Sequence, residues 1–425
     1  MHMSFLIKCK ILVSSVFVLV FMGSTTACSR NSDLAILDQV SEMVVESHYD
    51  PDLHGLDWAD VNARYRKLVQ GSDSRSTSLS YINAMLFELG DSHCGIGDLN
   101  DAKRTGSPYI FGEASVGIDV RMIDGRVVIT RVSDGSPAAN AGILPGFTIV
   151  AIDNVPVKQI AASALLRPPY TEANKNFHRT EAIMWYLFGL PETSVAIDYL
   201  DGKGNNHNAA LLRAKRPGGV ELSPSLPPVF IEVEKRVIAE GINYLWFNAF
   251  QPDNPSRVLA VIDHFDPKVP LIIDLRGNNG GSANATLMLL DRFAPYRFLA
   301  YNRVGRQDIQ AIYANPTNPN RRWNIVILVD ELSISSAENF AAVMQQAGLA
   351  IVVGNRTPGQ LLWGEGFELG ENLVAVIPIA RLILADGTNI EGRGVVPDLV
   401  VPLRPEELLR GIDTQLNAVI EQLSF

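Results

Sequence analysis

Residues 270 to 347 constrain the fold of this chain more than any other stretch. Pro270 to Leu275 is a continuous apolar run with Asp274 as its one acid, and Asn324 to Val329 is a second such run. Runs of this length without alternation read as strands buried on both faces. The first leads into the loop Arg276-Gly277-Asn278-Asn279-Gly280-Gly281 and then a helical pattern. The second leads through Leu332-Ser333-Ile334-Ser335-Ser336-Ala337-Glu338 into a helix from about Ser335 to Ala347. A strand at Tyr244 to Phe247 and a helix at Ser256 to Phe265 come before them. Strand, loop and helix therefore alternate, which predicts an α/β unit with a parallel-type sheet covered by helices.

Upstream the periodicity is different. Ser32 to Glu46 and Thr77 to Leu89 carry apolar residues at helical spacing, with Gly90 as the C-cap of the second helix. They predict a small helical N-terminal region that ends in the turn Asp91-Ser92-His93-Cys94-Gly95. From Val116 to Met122 apolar and polar residues alternate, and strands follow at Val127 to Val132, Phe147 to Ile152, Val195 to Tyr199 and Ala209 to Leu212. Ser136 to Gly142 reads as a short capped helix. Pro217 to Pro228 holds four prolines and reads as a linker.

Composition excludes some functions. The chain has 425 residues, 47% hydrophobic and 19% charged, with a formal net charge of −10. That is a globular balance with no basic tract able to follow a phosphate backbone, so nucleic acid is not expected as a partner. Lys8 and Lys10, the apolar run Ile11 to Met22 and the small residues Ser24 to Ala27 form a secretory signal peptide over residues 1–27. Its removal takes two positive charges and leaves −10 − 2 = −12. Cys28 then has two readings: the lipid-carrying first residue of a bacterial lipoprotein, or an ordinary cysteine beside a standard cleavage site. The first would hold the protein to the periplasmic face of a membrane through an acyl anchor, and Ser29, rather than Asp, favours the outer membrane if the source is Gram-negative. Cys94 alone remains for the folded body, so no intrachain disulfide or cysteine-based zinc site is expected.

Four segments carry residues suited to chemistry. The Gly277 to Gly281 loop lacks the Gly-Lys-Ser/Thr of a phosphate loop and the Gly-x-Gly-x-x-Gly of a dinucleotide site. Adjacent glycines do allow a backbone N–H to face a ligand, as an oxyanion hole requires. Serines at 333 to 336 open a helix, where they serve as plain N-caps or, at a positive helix end, as a nucleophile. His93 sits beside Asp91 and Ser92, and a neutral imidazole can take and return a serine proton. His2, His48, His54, His178, His207 and His264 carry no motif, and no metal is expected. Ile390 to Asp398 is a turn-rich loop containing Glu391.

In this order the segments resemble the tail-specific, or C-terminal processing, serine proteases. The resemblance rests on Gly90-Asp91-Ser92-His93, Asp274-Leu275-Arg276-Gly277-Asn278-Asn279-Gly280-Gly281, Ser333-Ile334-Ser335-Ser336-Ala337-Glu338 and Gly392-Arg393-Gly394-Val395-Val396-Pro397-Asp398. The run Val132 to Ala139 continuing through Ala141 to Gly146 resembles a PDZ domain, although the usual Gly-Leu-Gly-Phe is absent and Gly112 to Gly117 is its nearest match. The resemblance implies a crotonase/Clp-protease-like ββα catalytic fold over 216–425, a PDZ-like domain over 109–215 and a helical region over 28–108. It implies Ser335, three before Glu338, as nucleophile, with Gly280 and Ser336 as oxyanion donors. Family members with a Ser–Lys dyad place lysine 25 residues after the serine, where this chain has Gln360. An amide is no general base. A second branch, similar to the tricorn protease core, uses Ser-His, Ser and Glu, which Ser92, His93, Ser335 and Glu391 match. The implied activity is cleavage of polypeptide substrates through an acyl-enzyme, without cofactor, with recognition of C-terminal or unstructured apolar segments. The alternatives are a catalytically inactive peptide-binding lipoprotein on the same scaffold, and hydrolysis of a non-peptide ester or amide.

Overall fold

A computed structural model describes residues 30–98, 112–165, 170–220, 228–238, 241–251, 254–319 and 321–423. The signal peptide and Cys28 lie outside the described residues.

The apolar runs build the central sheet. Its six strands stand in the order Val233–Ile238, Ile242–Phe247, Leu271–Asp274, Ile325–Val329, Ile351–Gly354 and Leu399–Val400. The first pair is antiparallel and the rest are parallel. All five residues of Ile325–Val329 and all four of Leu271–Asp274 are buried, because helices cover both faces. On one side Ala283–Phe293 and Ser336–Gln346 pack Leu289, Leu290, Phe293, Phe340 and Met344 over Ile273 and Ile327. On the other, Thr414–Leu423 lays Val419 on Ile272, Val326 and Leu328.

A second sheet was not anticipated from the sequence. Leu373–Leu384 pairs antiparallel with Gly95–Asp98, Phe298–Gly305 and Leu362–Gly370, and Ile309–Ala314 completes the sheet. Leu373, Ala375 and Ile377 form one floor with Leu37, Val40, Ile82, Met85 and Leu86 of the N-terminal helices. That floor seats the helices Arg30–Ser47, Trp58–Gln70 and Arg75–Phe87 against the end of the catalytic unit. The third of these ends at Phe87, and Gly90 lies beyond it, with φ +79°.

The β-rich unit is an antiparallel sheet in the order Ile118–Ile123, Arg126–Val132, Thr148–Ile152, Ser194–Leu200, Asn206–Leu212. Its strands agree with the alternation read at Val116 to Leu212. Ser136 caps the short helix Pro137–Asn140 by accepting from Ala139 N–H at 3.1 Å. The helices Val157–Ser163 and Lys175–Leu187 close its core with Ile160, Ile183, Met184 and Leu187. Leu332, from the catalytic unit, is buried in this same core. Gly219–Val220 pairs with Val229–Phe230, so the proline-rich segment begins and ends on a two-stranded ribbon.

Candidate active site

Two loops at the carboxyl ends of neighbouring strands meet beside Ser335. Asp330 ends the strand Ile325–Val329, and its carboxylate accepts from Gly277 N–H at 3.0 Å and Leu332 N–H at 2.9 Å. Ser333 Oγ donates to Leu275 O at 2.7 Å, and Ile334 N–H donates to Asn278 O at 3.0 Å. The glycine loop and the serine loop thus hold each other. Ser335 is 2% exposed and closes the turn in the left-handed region, with φ +55°. A non-glycine residue there is strained, and such strain collects at functional sites.

Gly280 has to be glycine. Its φ is +70°, and a Cβ on it would lie 2.6 Å from Ser335 Cβ, 2.7 Å from Ile334 O and 2.9 Å from Ser336 N. The absent side chain lets the loop backbone touch the serine turn. Gly280 N–H donates to Asn278 Oδ1 at 2.9 Å, so in this conformation the amide faces Asn278. Ser336 begins the helix, where N–H groups lack intrahelical acceptors. Its hydroxyl donates to Gly281 O at 2.9 Å.

Glu338 lies one turn into the helix and is fully buried. Its carboxylate accepts from Ser335 N–H at 3.1 Å, Thr357 Oγ at 2.5 Å, Gly359 N–H at 2.7 Å and Gln360 N–H at 2.8 Å. Burial pushes its pKa up to about 7, against these donors, each of which favours the anion. The sequence marked Glu338 only as a ruler for finding Ser335. Its work as the acceptor for the 357–360 segment had no local signal, because those donors lie on another loop.

The second group forms around His93, whose φ is +55°. Ser92 N–H donates to Glu391 Oε1 at 3.0 Å and Ser92 Oγ donates to Glu391 Oε2 at 2.9 Å. The same hydroxyl lies 2.8 Å from His93 Nδ1. With its proton given to Glu391, Ser92 Oγ accepts from Nδ1–H, which leaves the Nε2 lone pair unprotonated. Burial lowers the His93 pKa to about 4 and raises that of Glu391 to about 8. For Glu391 the bonds from Ser92 and Leu361 oppose that rise, and the nearby Asp91 charge adds to it. His93 also packs on the second sheet, where a Cβ on Gly364 would stand 3.3 Å from its carbonyl oxygen.

Adjacent backbone amides join the two groups. Gln360 N–H donates to Glu338, and Leu361 N–H donates to Glu391 Oε2 at 2.6 Å. A continuous path runs from Ser335 through Glu338, residues 360–361 and Glu391 to Ser92 and His93. Residues 335 and 93, more than two hundred positions apart, are therefore fixed to one short strand entry. Gln360, read from the sequence as standing in place of the dyad lysine, occupies this junction.

Known proteins match this chain in three segments. Residues 241–401 match the model for peptidase family S41, residues 128–173 that for a PDZ domain, and residues 32–86 that for the tricorn protease C1 domain. A carboxy-terminal-processing protease of Bartonella bacilliformis is 24% identical over 373 residues, 85% of this chain and 78% of that protein. A carboxyl-terminal-processing protease of a Picosynechococcus species is 23% identical over 404 residues, 92% of this chain and 88% of that protein. Among solved structures, mature CPAF superposes with a TM-score of 0.62 at 14% identity, over 93% of this chain and 96% of that one. At that identity the superposition speaks to the fold, which is the α/β arrangement with a PDZ unit expected from the motifs.

Proposed function

We propose that this chain, whose residues 241–401 match peptidase family S41 and whose residues 128–173 match a PDZ domain, is an endopeptidase of the cell envelope that uses Ser335 as nucleophile and His93 as general base. Ser335 attacks a peptide carbonyl and His93 Nε2 takes its proton. The tetrahedral adduct collapses with return of that proton to the leaving amine, and water then hydrolyses the acyl-enzyme with His93 as base again. Ser92 and Glu391 hold the imidazole by Nδ1 and stabilise it when charged, as the third member of a triad does. Ser336 N–H supplies one oxyanion donor. Gly280 N–H supplies the second on turning from Asn278 toward the substrate, a rotation that glycine at positive φ permits.

The observation that carries this reading is the Glu391–Ser92–His93 chain of bonds at 2.8 to 3.0 Å. It supplies the oriented histidine that Gln360 cannot replace. The PDZ domain takes apolar or unstructured chain ends by strand addition, and the anchor at Cys28 keeps the enzyme on the periplasmic face of the membrane. A second reading, a peptide-binding lipoprotein without activity, draws on the Gly280 amide being bonded to Asn278.

A fluorophosphonate probe separates the two. Labelling of Ser335 that is lost in His93→Ala and kept in Gln360→Ala is the expected result. An unlabelled wild type would establish the inactive reading, and labelling that persists without His93 would remove it as the base.

A further inference from the structure

The residue before Ser92 belongs to a separate convergence. Asp91 Oδ2 lies 2.7 Å from His48 Nε2 and 2.9 Å from His54 Nε2, and Tyr49 OH donates to Asp91 Oδ1 at 3.0 Å. One donor atom from each of His48, His54 and Asp91 falls within 4.8 Å of the others. Three segments supply them: the residue after helix Arg30–Ser47, the turn Leu53–Gly55, and the turn after helix Arg75–Phe87. His48 is fully buried and His54 is 36% exposed. Leu53 and His54 both sit at positive φ, +48° and +57°, a conformation that side-chain-bearing residues rarely adopt. The strained turn is what aims the His54 ring at Asp91.

The outer nitrogens of both rings face Asp50. His48 Nδ1 is 3.0 Å from Asp50 O, and His54 Nδ1 is 3.1 Å from Asp50 Oδ2. Asp50 is itself held by the N–H groups of Asp52 and His54 at 3.1 and 3.0 Å. Asp50 N–H also reaches His48 Nδ1 at 3.1 Å, so a neutral His48 can accept there and give Nε2–H to Asp91. The two nitrogens of His54 both face carboxylates. A neutral His54 must turn one lone pair toward a carboxylate oxygen unless a cation stands between them. Histidines that bind metal commonly give their other N–H to a carboxylate or a backbone carbonyl, and ligating carboxylates are commonly held by a donor. Asp50 and Tyr49 meet both conditions here.

We propose that His48 Nε2, His54 Nε2 and Asp91 Oδ2 bind one divalent first-row cation of the zinc type, with the exposed side of His54 leaving a fourth position to water. Bonds of about 2.0–2.1 Å in a tetrahedron separate ligand atoms by roughly 3.3 Å. The two rings need only draw back from Asp91 by about half an ångström to admit the ion, and the short exposed turn at His54 can supply that. The ion would tie the N-terminal helices to the turn that holds Ser92 and His93. Sequence spacing gave no hint of it, because the ligands follow no short motif.

The test uses the full chain stripped with EDTA and titrated with zinc against a chromophoric chelator. One zinc ion per chain is expected. His54→Gln, which removes a half-exposed ligand, should weaken binding by at least about 100-fold, and Asp50→Asn by about 10- to 100-fold. His207→Gln, at a surface His–Asp pair 2.9 Å apart, should leave it unchanged. Cobalt loaded into the wild type should give the absorption of a tetrahedral N/O site, which needs no variant to be stable. Absence of stoichiometric binding, equal binding by wild type and His54→Gln, or loss of binding in His207→Gln would each overturn the proposal. None of these readouts depends on peptidase activity, so the proposal and the Ser335 reading stand or fall separately.

Discussion

Replacing Glu338 by glutamine tests what holds the serine turn in place. The carboxylate serves two donors on each oxygen: Thr357 Oγ and Gly359 N–H on Oε1, Ser335 N–H and Gln360 N–H on Oε2. An amide of the same shape keeps one oxygen and turns an NH₂ group toward the other two donors. With the NH₂ toward Thr357, whose hydroxyl can turn to accept from it, one buried N–H (that of Gly359) loses its acceptor; with the NH₂ on the other side two do, at about 1–3 kcal/mol each. Glu338→Gln should therefore lower unfolding free energy by about 1–6 kcal/mol, a large part of the 5–15 kcal/mol typical of a folded domain. Urea titration measures this, carried out well above the pKa of about 7 so that the native carboxylate is ionised. Labelling of Ser335 by a fluorophosphonate should slow by about tenfold or more in the same variant under folding conditions, since either Ser335 N–H or the 357–360 segment loses its anchor and small misplacements of reacting groups are costly. A stability change under about 0.5 kcal/mol, within the range of ordinary surface substitutions, would refute the reasoning. So would unchanged labelling in a variant that has lost the stability.

Three further outcomes follow from the geometry. Both oxygens of Glu391 accept from Ser92, which needs the ionised carboxyl, and its pKa is raised to about 8, so kcat/KM should climb as pH rises through that value; Glu391→Gln should remove this limb, and a wild-type profile flat across it would contradict the assignment. Gly280→Ala should cost about 1–2 kcal/mol from positive φ alone, with more from the contacts at 2.6 to 2.9 Å, and should abolish labelling at Ser335. Arg121→Met removes the partner of Asp330, which it reaches at 2.6 Å while both are buried, and should destabilise by about 3–5 kcal/mol in thermal or urea unfolding; Arg121→Met with Asp330→Asn together should cost less than their sum.

Much of this architecture was legible because it is written in local pattern. The buried strands Leu271–Asp274 and Ile325–Val329 are apolar but for the closing Asp274, and the serine turn opens a helix whose inward face repeats at helical spacing. The alternation at Ile118–Ile123 and Arg126–Val132 likewise follows from one face being buried. The second sheet was not legible, since Gly95–Asp98 pairs with a strand about 280 residues later and its own four residues include two glycines. Helix Trp58–Gln70 was missed as well, its buried positions reduced to Trp58, Val61 and Val69 among charged neighbours. At the site, Ser92, His93 and Glu391 came from family likeness, and only the fold brings them into contact. The orientation of the Gly280 amide toward Asn278 depends on one peptide plane, which no residue pattern specifies. The meeting of His48, His54 and Asp91 rests on three separate segments.

Leu332 carries a consequence for how such proteins can be recombined. Its side chain completes the hydrophobic core of the PDZ unit, while its backbone N–H is bonded to Asp330, which in turn meets Arg121 of that unit. The unit is therefore no bead on a string. A PDZ domain grafted from a relative would need a vacant seat shaped for this leucine and a cation aligned with this aspartate. Cutting the domain out would leave a greasy knob and an unneutralised acid three and five positions before the serine. Chimeras built at the apparent sequence borders should thus be insoluble unless both complementary features travel with the transplanted piece.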